Sequence, residues 1–195
     1  PFLEECLGPE GLARSVVIVS TSDDPALQRI HAVLTGIAIA EEFREMGLNV
    51  LMFIDSLTRL AHAQREIGLA RGEAPGQRGY PSSVIPLLAS VVERLGQGPD
   101  GSITGIITVL VDGDDHDEPI ADAARSLLDG HITLSRSLAS RGHFPAVDIS
   151  RSISRLFHDV CDAEHKSAAY GIRELLACHA EMFDLIQIGA YQPGT

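Results

Sequence analysis

Tryptophan is absent, aromatic residues make up only 5% of the chain, and there are three cysteines. Cys6, Cys161 and Cys178 are odd in number, far apart and outside any paired ligand spacing. They read as free thiols of a reducing compartment, which argues against a disulfide framework and against a zinc site. Cations are also few: 15 Lys and Arg stand against 27 Asp and Glu, a net charge of −12. Duplex phosphates need clustered Lys and Arg, so no nucleic-acid partner is expected. A small anionic ligand stays compatible, because backbone amides and a metal can hold it on an acidic protein. No apolar stretch reaches the roughly 20 residues that span a bilayer and no signal peptide is visible, so a cytoplasmic location is expected. No G-x-S-x-G elbow occurs, which leaves Ser-His-Asp catalysis without support. The eight histidines are scattered, and His62 has no second His four residues on.

What is present is an ordinary apolar share of 45% over 195 residues, enough for one well-buried core with a small appendage. Ser15–Thr21 is a β-branched run and predicts a buried strand. Asp24-Pro25 predicts an N-cap followed by proline at the first helical position. Apolar residues from Leu27 to Phe43 then recur at helical spacing, with Gly47 as the stop. Leu48–Ile54 is an unbroken apolar run and predicts a strand buried on both faces of a parallel sheet. Helices are expected over 57–71 and 87–95, separated by an extended Gly, Pro and Ser-rich active-site or interface loop over 72–86. A third buried strand is expected over 103–111, a short helix over 120–128, a strand over 131–135 and a long helix over 163–188. The fold class expected is therefore α/β, a mostly parallel sheet flanked by helices and followed by helix.

Asp55 closes the Leu48–Ile54 run, at the end of the strand where open α/β sheets bind ligands. Ser20-Thr21-Ser22 and Asp112 close the other two expected strands, and this convergence is the main argument for a site. Each residue also has a plainer reading. Asp55 could cap the following helix; Arg59 could reach a phosphate or pair with Asp55 at i, i+4. Asp112, Asp114 and Asp115 could hold a cation or be solvated turn residues. Arg155 taken alone is a surface cation, and Phe144-Pro145 a packing pair before a strand.

Taken together, VLMFIDSLTRLAHAQREIGLARGEAPGQRGYPSSV, GSITGIITVLVDGDDHDEPIADAARSLLDGHITLSR, GHFPAVDISRSISRLF and DLIQIGAYQPG resemble the rotary and export ATPases, most closely the flagellar and type III secretion ATPases. The tract VDGDDHDEP favours the flagellar branch. The resemblance implies a RecA-like nucleotide-binding domain over 1–158 and the start of a helical C-terminal domain over 159–195. It implies Mg²⁺-dependent ATP hydrolysis that energises protein export. Asp55 would be the Walker B aspartate, holding water on Mg²⁺. Arg59 would lie beside the phosphates, and Arg155 would be an arginine finger reaching the neighbouring subunit's γ-phosphate. Phe144, with Pro145, and Tyr191 would bracket the adenine, and the Gly79-Tyr80-Pro81 loop would face the pore of a ring. The partners implied are further copies in a homohexamer, the export apparatus and its regulators, and export substrates with their chaperones. The implied place is the cytoplasmic face of that apparatus, with peripheral membrane association.

Two departures qualify that expectation. No G-x-x-x-x-G-K-[ST] loop is present to cradle phosphate, and Glu4 and Glu5 lack the glycine and arginine context of the family's catalytic glutamate. Pro1-Phe2-Leu3-Glu4-Glu5 reads like the inside of a helix, and the other end is apolar almost to its last positions. The expectation is a fragment that binds nucleotide weakly and hydrolyses nothing measurable alone. The alternative is a non-catalytic ring subunit that supplies an arginine finger without turning over ATP; a plain binding module that keeps the fold without nucleotide is the third.

Overall fold

The computed structural model describes residues 2–111, 113 and 118–190, which pack as two compact units dividing after Leu127. In the first, a π-helical turn (Phe2–Leu7) and α1 (Gly8–Ala13) lead to α2 (Ala26–Glu45), β1 (Asn49–Ile54) and α3 (Leu57–Ala70). Then come α4 (Val84–Val92), β2 (Gly96–Gln97), β3 (Ser102–Ile107) and α5 (Pro119–Leu127). β1 and β3 run parallel, from Asn49 opposite Ser102 to Ile54 opposite Ile107. The short β2 pairs antiparallel on the outer side of β3, giving the order β1-β3-β2.

The core lies among the helices and one face of this sheet. Ile30 and Ile37 of α2, Leu57 and Leu60 of α3, Val84 and Leu88 of α4 and Ile120 of α5 are buried with Ile54 and Ile103. Met52 reaches Gly36 on α2, and Leu95 lies over β3 close enough that a side chain at Gly105 would have to push its methyl aside. Side chains alternate along a strand, so Leu51 and Phe53 point the other way. They are 56% and 67% exposed, and the expectation of a strand buried on both faces is corrected.

Several boundaries also differ from the sequence expectation. Ser15–Thr21 forms no strand: among the described residues none pairs with it in a ladder, and Ile18 lies against Gly36 of α2. Asp24 does not cap α2. Its carboxylate turns back to accept from Ser20 Oγ (2.9 Å) and the Thr21 amide (2.7 Å), leaving Pro25 as the flanking residue. Helix α4 starts at Val84 and carries Pro86 in its first turn, where proline's missing N–H costs nothing. The preceding segment is not extended but folded back on α3: Tyr80 Oη meets His62 Nε2 at 3.0 Å, and the buried Pro81 packs on Gly68.

Gly47 ends α2 as expected. Its φ is +80°, its amide reaches the Arg44 carbonyl (3.0 Å) and the Leu48 amide reaches Phe43 (3.0 Å), the paired bonds of a Schellman cap. Just beyond α4, Arg94 forks onto Glu41 of α2 with Nε–Oε1 at 2.8 Å and Nη2–Oε2 at 2.5 Å. The bond from Arg94 holds the Glu41 carboxyl below the ordinary glutamate range, and Glu41 raises Arg94 in return.

The second unit has β4 (Gly130–Leu134), α6 (Arg136–Ser140), β5 (Val147–Ser154), α7 (Phe157–Val160) and α8 (Ala163–Gln187). β4 and β5 pair antiparallel, with an irregularity between His131 and Thr133.

Candidate active site at the carboxyl end of the first strand

Because β1 and β3 are parallel and in register, their carboxyl ends lie side by side. This places Asp55 next to Thr108, whose hydroxyl donates to Asp55 Oδ1 at 2.9 Å. The ladder continues one residue past β3, with the Thr108 amide on the Ile54 carbonyl (3.0 Å) and the Leu57 amide on the Thr108 carbonyl (3.0 Å). Thr58 extends the stitch. Its hydroxyl accepts from the Leu110 amide (2.9 Å) and donates to the Leu110 carbonyl (3.3 Å). Sequence reading missed both threonines, because each partner lies more than 50 residues away in the chain.

Asp55 is not the cap of α3. That task falls to the buried Ser56, whose Oγ accepts from the Arg59 amide at 3.3 Å, so the exposed Asp55 carboxylate is left to the surface. The Asp55–Arg59 ion pair is not formed. Among the described residues Thr108 is the side-chain partner of Asp55, and the exposed Arg59 guanidinium has none. A carboxylate with one oxygen unbonded among the described residues stands one helical turn before an unpaired guanidinium, groups whose chemistry suits a hydrated cation and an anion respectively. Among the described residues no group of three or more His, Cys, Asp or Glu is gathered to hold a metal directly. Two surface depressions, of about 520 Å³ beside His31 and Glu42 and about 280 Å³ beside His62 and Arg65, are not lined by Asp55.

Of the three strand ends expected to converge, the structure brings Asp55 together with the end of β3. The Ser20-Thr21-Ser22 stretch ends no strand, and Asp112, Asp114 and Asp115 lie outside the described residues. Tyr191 does too. Glu118, not singled out in the sequence, is buried and accepts from the amides of Ile120 (2.9 Å) and Ala121 (3.0 Å) at the start of α5.

Phe144, Pro145 and Arg155 belong to the second unit. Phe144 is 74% exposed, so it is not a packing pair with Pro145; the two stand on the turn that enters β5. Arg155 is exposed just past β5, with its amide bound to the Asp129 carbonyl at 2.8 Å. Between them Asp148 folds the strand on itself, accepting from Ser150 Oγ (2.6 Å) and from the amides of Ser150 (3.1 Å) and Arg151 (3.2 Å). The Ser150 hydroxyl, with those amides, holds the Asp148 carboxyl below the ordinary aspartate range. Ser152 Oγ in turn receives the Thr133 amide (3.0 Å), which accounts for the irregular pairing of β4 with β5.

Residues 1–154 match the family model of the ATP synthase alpha/beta family, nucleotide-binding domain. The chain belongs to that family. Residues 161–195 match the C-terminal domain of the type III secretion ATPase EscN. Relatives in this family include the flagellum-specific ATP synthase of Treponema pallidum, 53% identical over all of this chain and 43% of that protein. The type 3 secretion system ATPase of Xanthomonas euvesicatoria is 48% identical over all of this chain and 44% of its own. The chain therefore spans less than half the length of the curated relatives it matches. The assembled ATPase EscN of enteropathogenic E. coli superposes with a TM-score of 0.90 at 45% identity, over 96% of this chain and 45% of that one. A second EscN structure, in complex with its central stalk EscO, gives 0.84 at 45% identity over 95% and 44%. The α/β fold followed by helix, expected from the sequence, is the fold of these family members.

Proposed function

We propose that this chain forms part of the catalytic centre of a magnesium-dependent ATPase that works as a ring and energises flagellar or type III protein export. The observation that carries this reading is Asp55, a surface carboxylate at the end of a parallel strand, with one oxygen fixed by Thr108 and Arg59 a turn away. The relatives' names support the export activity, and the assembled EscN supports the ring. The matched ranges 1–154 and 161–195 support a division into a nucleotide-binding domain over 1–158 and the start of a helical domain over 159–195.

Asp55 would hold Mg²⁺ through water, a role that suits a lone carboxylate with one oxygen unbonded among the described residues. When bound, Mg²⁺ would supply charge neutralisation for phosphoryl transfer. Arg59 faces the phosphates from the first turn of α3, and Phe144 with Pro145 offers an exposed apolar surface to the adenine; Tyr191 is its proposed counterpart. Arg155 serves a neighbouring subunit, offsetting charge on the transferred phosphoryl group, an effect worth about 10³–10⁵ in rate where fingers have been studied. The Gly79-Tyr80-Pro81 segment faces the pore. The working form is a hexamer at the cytoplasmic face of the export apparatus, handling export substrates and chaperones and meeting a stalk or regulator, as EscN meets EscO. None of the described helices is long and apolar enough to cross a membrane.

No G-x-x-x-x-G-K-[ST] loop occurs in these 195 residues, so turnover needs a phosphate cradle supplied from outside them and the test belongs in the full-length gene product. There, Arg155→Ala is expected to lower ATPase activity at least about 10³-fold while nucleotide affinity stays near that of the parent. Retained turnover would remove the finger role.

A further inference from the structure

We infer that Thr108 is a positioning residue for Asp55: its hydroxyl fixes the carboxylate so that the second oxygen faces the metal-bound water. The inference rests on the reading of Asp55 just proposed, and extends it to a residue just past the end of β3. Three observations carry it. The Thr108 hydroxyl has one proton and two candidate acceptors, Asp55 Oδ1 at 2.9 Å and the Ile54 carbonyl at 3.4 Å. The shorter bond goes to the charged oxygen, which is also the stronger acceptor. Next, Thr108 cannot drift. Its amide and carbonyl are both tied into the β1 and α3 backbone, to Ile54 and Leu57 at 3.0 Å each, so the donor is held in place before any ligand arrives. Finally, Asp55 has no other side-chain partner among the described residues, because Ser56 has taken the helix cap and Arg59 does not pair with it. Without Thr108 the carboxylate is free to rotate or to swing onto Arg59, four residues on. Thr58 supports the arrangement by pinning Leu110, two residues past Thr108, to α3.

The test uses the full-length gene product with Thr108→Val, which keeps the shape and removes the hydroxyl, and Thr108→Ser, which restores it. The readout is the Mg²⁺ concentration that half-saturates binding of a fluorescent ADP analogue, measured beside metal-free binding of the same probe. Thr108→Val is expected to raise that concentration about tenfold, the lower end of what loss of a partner behind a metal site costs, with metal-free binding unchanged and Thr108→Ser near the parent. In an Asp55→Asn background Thr108→Val should add nothing, because both changes act through one carboxylate. A Thr108→Val protein with the parent's Mg²⁺ requirement, or a full extra loss in the Asp55→Asn background, overturns the inference. If Asp55→Asn itself leaves the Mg²⁺ requirement unchanged, the reading of Asp55 fails instead, and the positioning role falls with it.

Discussion

At the scale of single residues, the chain separates charges that serve folding from those left for chemistry. Ser56 takes the cap of α3, so Asp55 is spared. Arg94 satisfies Glu41 in a two-pronged pair, whereas Arg59 meets no partner among the described residues. The Glu41–Arg94 pair has a consequence for acid stability. The Glu41 pKa is lowered in the folded chain, so its contribution is fully present above the ordinary glutamate value and is lost as pH falls through and below it. Glu41→Gln is expected to cost about 0.5–1 kcal/mol at neutral pH, the scale of a partly exposed pair. That cost should shrink below about pH 4. Urea unfolding at pH 7 and pH 3.5 measures it; an equal cost at both pH values contradicts the assignment. Sequence alone exposes Asp55 and Arg59, because they end and follow an apolar run. It does not expose Thr108 or Asp148, since a threonine at the end of an apolar run and an aspartate two residues before a serine are common, and only the folded chain shows what they hold.

At the scale of elements, the helices α2, α3, α5 and α8 and the strand before Asp55 were legible because apolar periodicity follows burial directly. The errors came where a second element decides the outcome. Among the described residues Ser15–Thr21 has strand composition but no partner strand, and Leu51 and Phe53 are apolar yet exposed on one face of β1. Composition reports what a face suits and leaves open whether anything covers it. Glycines at element junctions carry sharper information. A Cβ at Gly101 would lie 2.5 Å from the carbonyl oxygens of both Arg44 and Leu48, where α2 ends and β1 and β3 begin. Those contacts are backbone and cannot swing away. Gly101→Ala is therefore expected to destabilise the chain by about 2–3 kcal/mol, the upper part of the overpacking range. A shift in the urea midpoint corresponding to less than about 0.5 kcal/mol, the spread of ordinary surface changes, would show that the junction yields more easily than its geometry implies.

At the scale of the whole molecule, the candidate site residues fall in two units, Asp55 and Arg59 in the first and Phe144 and Arg155 in the second. The proposed chemistry joins Asp55 of one subunit to Arg155 of another. The family and the fold could be read from long ordered sequence matches, and the model of the family covers residues 1–154. What the sequence could not reveal is which side of each strand is open. The central claim, a shared site between subunits, is tested most directly by mixing two inactive full-length variants, Asp55→Ala and Arg155→Ala, and measuring ATP hydrolysis of the mixed assembly. Some interfaces of a mixed ring pair an intact Asp55 with an intact Arg155 from the neighbour, so turnover is expected to return to a measurable fraction of the parent's rate. Mixed rings that form and stay as inactive as either variant alone would contradict the account.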